Sequence, residues 1–355
     1  MRVKSLDGLR GLAALLVVVS HFAELAGVKV LGSGAAQIGV MIFFALSGYL
    51  MGHLYFSAPP TIDNVARFFQ RRTARVLPLY YLLVLSSLAV TLVAVHWHYW
   101  IYPLKLDAAL LHLIPIHGTS VLWTIPVEIH FYLLFPVIWW LRHRVPGGAL
   151  FLLCGLVAFG LYVHTFNTPD TSIKALTMVV HYFAAGLILA CFAHSASRRW
   201  NLVFVASFAA LPLFYPAIGH LVPTPLADGV TLRQTAQAMW GSPLYLGMVA
   251  LLLLATIRSP LAAKVLGSTP FSLLGSISYS LYLLHMPVFW YFNRFTPLGK
   301  DPAVFALFAM PAALVVAWVS YRLIECPARA YINSRELPEF GPAPETTPAG
   351  TAVAR

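Results

Sequence analysis

Long apolar runs recur along the whole chain, and short segments between them contain most of the charged residues. Many runs approach the ~20 residues that an α-helix needs to cross the hydrocarbon core of a bilayer. The pattern predicts ten spans, at about residues 9–29, 36–56, 77–95, 122–141, 148–166, 175–195, 200–219, 239–257, 271–292 and 303–324. We therefore expect an all-α, polytopic integral membrane protein.

The least regular part of this pattern is residues 96–121. This segment contains HWHYWIYP and LDAALLHLIPI, which mix aromatic, polar and apolar residues without a run long enough to cross the bilayer. Such a mixture is typical of an interfacial or re-entrant segment.

Composition supports the membrane interpretation. The chain is 59% hydrophobic and 10% charged, with a mean hydropathy of +0.78, whereas a soluble domain has about 25% charged residues. Its formal net charge is +11, but no basic and aromatic ladder of the kind that binds single-stranded nucleic acid is present. We expect the lipid bilayer, and no nucleic acid, as a partner.

The distribution of basic residues predicts the orientation. If both termini are cytoplasmic, 17 of the 23 lysine and arginine residues lie in cytoplasmic segments. Short cytoplasmic loops are enriched in these residues, so the sequence predicts cytoplasmic termini and a location in the cell inner membrane. One alternative is a cleavable signal peptide that ends near Ala23 or Ala26, although Asp7 and Arg10 interrupt the approach to its apolar part.

Arg10 and His21 both belong to the first predicted span, eleven residues apart. On an α-helix this spacing is almost three turns, so the two side chains share one face about 16 Å apart. Arginine and histidine are costly in hydrocarbon and usually face a protein-lined or aqueous cavity where they have a function. The pair is therefore our first candidate site.

A second cluster of cations precedes the third span. It consists of Arg67, Arg71, Arg72 and Arg75. These residues could anchor the protein to anionic lipid headgroups, or they could bind a phosphate ligand, because guanidinium groups bind phosphate bidentately.

The cysteines and histidines of the sequence do not indicate a metal-dependent or redox function. Cys154, Cys191 and Cys326 are scattered, which indicates neither disulfides nor a zinc site. His96 and His98 alone are insufficient for a metal site, so we expect no metal. The residues after the last span are rich in proline, alanine and threonine, and we expect a disordered cytoplasmic tail at 328–355.

Six stretches of this sequence, in order over about residues 5–327, resemble the integral-membrane acyltransferase 3 family. They are LDGLRGLAALLVVVSHF with Arg10 and His21, FFALSGYLM, RRTARVLPLYY with Arg72 and Arg75, LWTIPVEIHFYLLFP with Trp123, Glu128, Phe131 and Tyr132, GSISYSLYLLHMPV with Tyr279, Ser280, Tyr282 and His285, and YRLIECP with Glu325. Pro126 and Cys326 depart from the family pattern. Some family members carry an additional hydrolase-type domain outside the membrane, and we expect this chain to lack one.

The resemblance implies that residues 1–327 form a transmembrane O-acyltransferase domain. It implies acyl-CoA, with acetyl as the expected acyl group, as a co-substrate rather than a tightly bound cofactor, and a glycan or other hydroxyl compound as the acceptor. Arg72, Arg75 and Arg10 would bind the CoA portion, and His21 would act as general base with Glu128 and Arg10 as further catalytic residues. Trp123, Tyr279 and His285 are candidates for substrate binding.

Several alternatives stay open from the sequence. Glu24 lies one turn after His21 and competes with Glu128 as the carboxylate that orients the imidazole. His21 could serve as a base in direct transfer or carry the acyl group itself. A transporter of an anionic solute would also place arginine and histidine within the membrane, although transporters usually contain internal repeats. The acceptor and the oligomeric state are not indicated.

Overall fold

The structure is a computed structural model of the 355-residue chain and describes residues 3–28, 34–93, 101–104, 109–166, 176–192, 195–219, 221, 231–297 and 301–335. These residues form helices and no strands, so the predicted all-α class is confirmed for them. His96 and His98 lie outside the described residues, as do residues 336–355.

The longer helices are α1 (Lys4–Leu25), α2 (Ala36–Tyr55), α3 (Ile62–Val93), α4 (Thr124–Arg144), α5 (Gly148–Phe166), α6 (Val180–Ala190), α7 (Arg199–Ala210), α8 (Leu232–Gly241), α9 (Pro243–Arg258), α10 (Pro260–Leu266), α11 (Thr269–Phe295), α12 (Pro302–Ser320) and α13 (Cys326–Asn333). Shorter helical segments are Ala109–Leu113, Ser120–Trp123, Leu176–Met178, Leu211–Phe214 and Pro216–Gly219, and a π-helical turn, Tyr321–Glu325, joins α12 to α13.

Within the part of the chain that the structure describes, five helical segments are long and apolar enough to cross a membrane. They are Lys4–Leu25, Ala36–Tyr55, Ile62–Val93, Ser120–Arg144 and Pro302–Asn333. A sixth would be the pair Gln234–Gly241 and Pro243–Arg258, which is bent by 60°. The protein is therefore a multi-pass membrane protein, while the count of ten spans and the cytoplasmic termini stay predictions.

The predicted span 175–195 shows how the apolar pattern and the helix differ. Within it, α6 has only 11 residues and is about 16 Å long, roughly half of the hydrocarbon thickness. Hydropathy measures how apolar a segment is and does not report where the helix is interrupted.

Helix α1 is packed between α2 and α11, and glycines allow the close approach. A Cβ atom on Gly275 of α11 would lie 2.0 Å from the carbonyl oxygen of Asp7, and one on Gly11 would lie 2.7 Å from the backbone nitrogen of Gly275. On the other side, a Cβ on Gly39 of α2 would lie 2.6 Å from the Ala13 carbonyl. Small residues allow backbones to approach closely inside membranes, and here they hold Arg10 and His21 against the neighbouring helices.

The irregular segment before α4 is anchored in the protein where the structure describes it. Tyr102 is fully buried, and its hydroxyl donates to the Leu283 carbonyl at 2.5 Å. Pro287 has no backbone N–H, so the Leu283 carbonyl lacks its usual partner within α11. The Tyr102 hydroxyl replaces that bond at a carbonyl two residues before His285.

The last helix continues beyond the predicted domain boundary at residue 327. Helix α13 ends at Asn333, and the Gln70 side chain of α3 donates to the carbonyls of Ile332 at 2.8 Å and Arg335 at 2.7 Å. Residues 328–333 are thus helical and attached to α3, which differs from the disordered tail expected there. Composition alone did not reveal this attachment to a distant helix.

Candidate functional site

A cavity is bounded by α1, α2, α3, α4 and α11. Its polar lining includes Arg10, Ser47, Arg72, Arg75, Glu128 and Tyr279. The cavity therefore brings together Arg10, the pair Arg72 and Arg75, and Glu128. The sequence identified all of them as candidate site residues, and they belong to three different helices.

Arg10 is buried at the wall of this cavity, with 9% of its surface exposed. Its Nη1 donates to Asp7 Oδ1 at 3.1 Å. Arg72, Arg75 and Glu128 are within electrostatic range of its guanidinium group. The charged residues that line the cavity are three arginines and one carboxylate, Glu128, and this excess of positive charge favours a polyanionic ligand.

Arg72 is held among aromatic rings. Its guanidinium carbon lies 5.7 Å from the ring centre of Tyr55 and 5.8 Å from those of Phe68 and Tyr132, which are cation–π distances. The side chain is 7% exposed, and its buried Nε has no hydrogen-bond partner among the described residues. Because buried polar groups are normally hydrogen-bonded, this unpartnered Nε favours a bound ligand over a lipid anchor.

The four arginines at the start of α3 fall into two pairs. Arg72 and Arg75 line the cavity, whereas Arg67 and Arg71 are exposed. Next to Arg75, the Tyr279 hydroxyl donates to the Val76 carbonyl at 2.6 Å. Tyr279, predicted to bind substrate, thus lines the cavity and also ties α11 to the helix that carries Arg75.

Glu128 is half-buried and bonded through one oxygen. Its Oε1 accepts hydrogen bonds from Ser47 Oγ at 3.1 Å and from the Tyr132 hydroxyl. The roles of Ser47 and Tyr132 were not assigned from the sequence. Tyr132 follows Glu128 by four residues, a spacing at which side chains meet on a helix, so their contact can be predicted from the sequence. The contact of Ser47 with Glu128 joins two separate helices, and spacing within one helix does not predict it.

His21 is paired with His285. Nδ1 of His21 lies 3.1 Å from Nε2 of His285, and the two ring planes differ by 20° with centroids 5.2 Å apart. Nδ1 of His285 lies 3.1 Å from the Leu281 carbonyl oxygen. Of the two carboxylates proposed to orient His21, Glu24 is exposed, and Glu128 accepts hydrogen bonds from Ser47 and Tyr132.

Tyr282 links the histidine pair to the cavity. It is a lining residue, and its ring centroid is 6.2 Å from that of His285 and 5.7 Å from that of Phe43, another lining residue. Its hydroxyl donates to the Val121 carbonyl at 3.1 Å. Tyr282 thus lines the cavity and also packs against His285.

Trp123 lies outside the residues that line the cavity. It ends the short helical turn before α4 and packs edge-on against Phe44 at 5.8 Å and Trp240 at 6.1 Å. The structure therefore does not bring this predicted substrate-binding residue to the arginine cluster.

Glu325 is a buried carboxylate at the end of the π-helical turn between α12 and α13. It is 3% exposed, accepts a hydrogen bond from Ser280 of α11, and pairs with Arg329 at 2.9 Å. It also lies within electrostatic range of Arg75. Short π-helical turns such as this one often occur at functional sites.

Comparison with known proteins decides the family. A family model described as an acyltransferase domain matches residues 3–322. The chain belongs to the acyltransferase 3 family. The resemblance seen in the six sequence stretches is thereby confirmed, and the acyltransferase domain extends from α1 into the π-helical turn.

Curated proteins that are named O-acetyltransferases are similar over most of this chain. O-acetyltransferase OatA of Staphylococcus aureus is 25% identical over 370 residues, which cover 91% of this chain and 57% of the relative. Peptidoglycan O-acetyltransferase OatA of Listeria monocytogenes is 22% identical over 375 residues, which cover 93% of this chain and 57% of the relative. The match thus spans a little over half the length of these relatives. No solved structure is detectably similar.

Proposed function

We propose that this protein is an O-acetyltransferase of the cytoplasmic membrane that moves an acetyl group from cytoplasmic acetyl-CoA to a hydroxyl of a glycan or related acceptor. Its family and the names of its relatives support O-acetyl transfer, and one of those relatives acts on peptidoglycan by its name. The observation that carries the proposal is the division of labour along α1, in which Arg10 belongs to an arginine-lined cavity and His21 to a histidine pair.

The arginine-lined cavity is suited to the nucleotide end of CoA. That end carries several phosphate charges, and a guanidinium group binds phosphate through two parallel hydrogen bonds. Arg72 is already oriented by Tyr55, Phe68 and Tyr132, so little side-chain entropy would be lost on binding. Arg10 and Arg75 supply further positive charge on adjacent walls.

The thioester would then lie near Tyr282 and His21, on the path from the cavity to the histidine pair. His21 accepts the proton of the acceptor hydroxyl as its oxygen attacks the acetyl carbon. The C–O bond forms, the C–S bond breaks, and the proton passes from His21 to the departing sulfur, so that the products are the O-acetylated acceptor and CoA. This direct transfer forms no bond between the acetyl group and the enzyme.

The test uses purified protein in nanodiscs with radiolabelled acetyl-CoA. We expect saturable binding that unlabelled CoA competes and acetate does not, and transfer of label to peptidoglycan strands or to another member of a panel of bacterial polysaccharides. Absence of CoA binding would refute the proposal and return the protein to the anionic-solute transporter alternative. Label retained covalently on the protein when acceptor is omitted would refute direct transfer.

A further inference from the structure

Two of the cavity arginines, Arg72 and Arg75, belong to the part of α3 between Gln70 and Val76. This part spans about 9 Å of helix, and each of its ends is bonded to another helix. At one end, the Val76 carbonyl accepts a hydrogen bond from the Tyr279 hydroxyl of α11 at 2.6 Å. The backbone that carries the arginines is therefore fixed to α11 directly beside Arg75.

At the other end, α3 is bonded to α13. The Gln70 side-chain amide donates from Nε2 to the carbonyls of Ile332 at 2.8 Å and Arg335 at 2.7 Å. Carbonyls at the C-terminal end of a helix lack partners within that helix, so a side-chain donor there stabilises the helix end. One side chain of α3 thus caps α13 and holds the two helices together.

The start of α13 is fixed in turn to α11. Glu325, which directly precedes α13, is 3% exposed and accepts a hydrogen bond from Ser280 of α11. It also pairs with Arg329 of α13 at 2.9 Å. A buried carboxylate is costly unless it is paired and hydrogen-bonded, so these contacts hold the start of α13 in place. Ser280 follows Tyr279 directly in the sequence, so one level of α11 supports both α3 and α13.

The three helices therefore form a closed ring of hydrogen bonds. Tyr279 joins α11 to α3, Gln70 joins α3 to α13, and Glu325 joins α13 back to α11. Helix α13 begins beyond residue 322, where the family match ends. Support of this kind keeps binding groups in place before the ligand arrives, which reduces the entropy that binding costs.

We propose that Gln70 is a positioning residue that acts through α13 to hold Arg72 and Arg75 in the arrangement that binds the phosphates of the donor. Gln70 is not one of the described residues that line the cavity, so it acts through the backbone of α3. The inference rests on the proposed function, since CoA is the ligand assigned there to these arginines.

Gln70→Met tests the assignment, because methionine has a similar length and no charge but cannot donate a hydrogen bond. The matched control is Asn64→Leu, which removes an amide that donates to the Pro59 carbonyl at 2.8 Å, earlier on α3 and away from α13. We expect Gln70→Met to raise KM for acetyl-CoA about 5-fold, the equilibrium effect of about one net hydrogen bond, with kcat unchanged. Asn64→Leu should leave both constants unchanged, and the two variants should have similar unfolding temperatures in detergent.

A fragment of the donor separates positioning of the arginines from a general loosening of the protein. The nucleotide fragment of CoA carries all of its phosphates and lacks the pantetheine arm, and we expect it to compete with acetyl-CoA for the wild-type protein. Its inhibition constant should rise in Gln70→Met by the same factor as KM for acetyl-CoA, because both changes arise at Arg72 and Arg75.

A second variant interrupts the ring at α11. Ser280→Ala removes the hydrogen bond to Glu325 and should also raise KM for acetyl-CoA with kcat unchanged. Because one break already opens the ring, Gln70→Met and Ser280→Ala together should raise KM little more than the larger single effect, whereas independent sites would give additive free energies.

Four results would overturn the inference while leaving acetyl transfer itself intact. They are an unchanged KM in Gln70→Met, an equal rise of KM in Asn64→Leu, a nucleotide fragment whose inhibition does not follow KM, and additive effects in the double variant. A wild-type protein that neither binds acetyl-CoA nor transfers its acetyl group would instead refute the proposed function, so the two failures are distinguishable.

Discussion

Arg10 and His21 share one face of α1, yet they belong to different parts of the site: Arg10 lines the arginine-rich cavity, and His21 is bonded to His285. The helix therefore separates Arg10, in the region suited to phosphate binding, from His21, in the region suited to proton transfer, by about 16 Å. Variants along this helix and its neighbours should consequently separate donor binding from chemistry.

The first prediction concerns the arginine pair of α3. Replacement of Arg72 and Arg75 by alanine should weaken CoA binding by at least about 10²-fold, since each lost charged hydrogen bond costs about 1.5–3 kcal/mol. The matched control is Arg67→Ala with Arg71→Ala, which removes the same charge from exposed positions of the same helix. Isothermal titration with CoA in nanodiscs measures both. Equal losses in the two double variants would mean that net charge, and not the cavity, determines affinity.

A second prediction concerns the charge of Glu128. Glu128→Gln keeps an oxygen that can accept from Ser47 and Tyr132 but removes a negative charge beside Arg10. Because the carboxylate would repel bound phosphates, CoA should bind about 3- to 10-fold more tightly, which corresponds to roughly 1 kcal/mol. The difference should shrink as salt is added.

The control for Glu128 is Tyr132→Phe, which removes one hydrogen bond to the carboxylate and keeps its charge. Its CoA affinity should stay near that of the wild type. Weaker CoA binding in Glu128→Gln would contradict the electrostatic account and would point to direct contact between the carboxylate and the donor.

Part of this arrangement could be predicted from the sequence. Arg10 and His21 are related by helical spacing alone, and so are Arg72 and Arg75. The contact of His21 with His285 could not be predicted, because it depends on how α1 and α11 pack and the spacing within either helix does not report it. The same reason applies to Ser47 and Glu128, which belong to α2 and α4.

The third prediction tests the packing that creates this contact. Gly275→Ala would place a Cβ atom 2.0 Å from the Asp7 carbonyl, so α1 and α11 must move apart, at a cost of about 1–3 kcal/mol. We expect a lower unfolding temperature and reduced transfer. Gly155→Ala and Gly247→Ala are matched controls, since a Cβ there meets nothing within 4 Å, and both should be neutral or slightly stabilising. An unchanged Gly275→Ala would contradict the close approach.

The fourth prediction is the topology. Reporter fusions after residues 65, 143, 198 and 262 should be cytoplasmic, and fusions near 104, 170, 228 and 298 should be exterior, because 17 of 23 basic residues then lie inside. The position that matters most is residue 65, just before the arginine pair. An exterior reporter there would exclude a cytoplasmic donor at Arg72 and Arg75.

The measurement that tests the central claim most directly is acetyl transfer by His21→Ala. Purified wild type and variant in nanodiscs are given labelled acetyl-CoA and the acceptor, and CoA affinity is measured on the same samples. We expect transfer to fall by about 10²- to 10⁴-fold, the usual contribution of a general base, while CoA affinity stays close to that of the wild type because the arginines are unchanged. A His21→Ala protein that transfers acetyl groups at the wild-type rate would contradict the account.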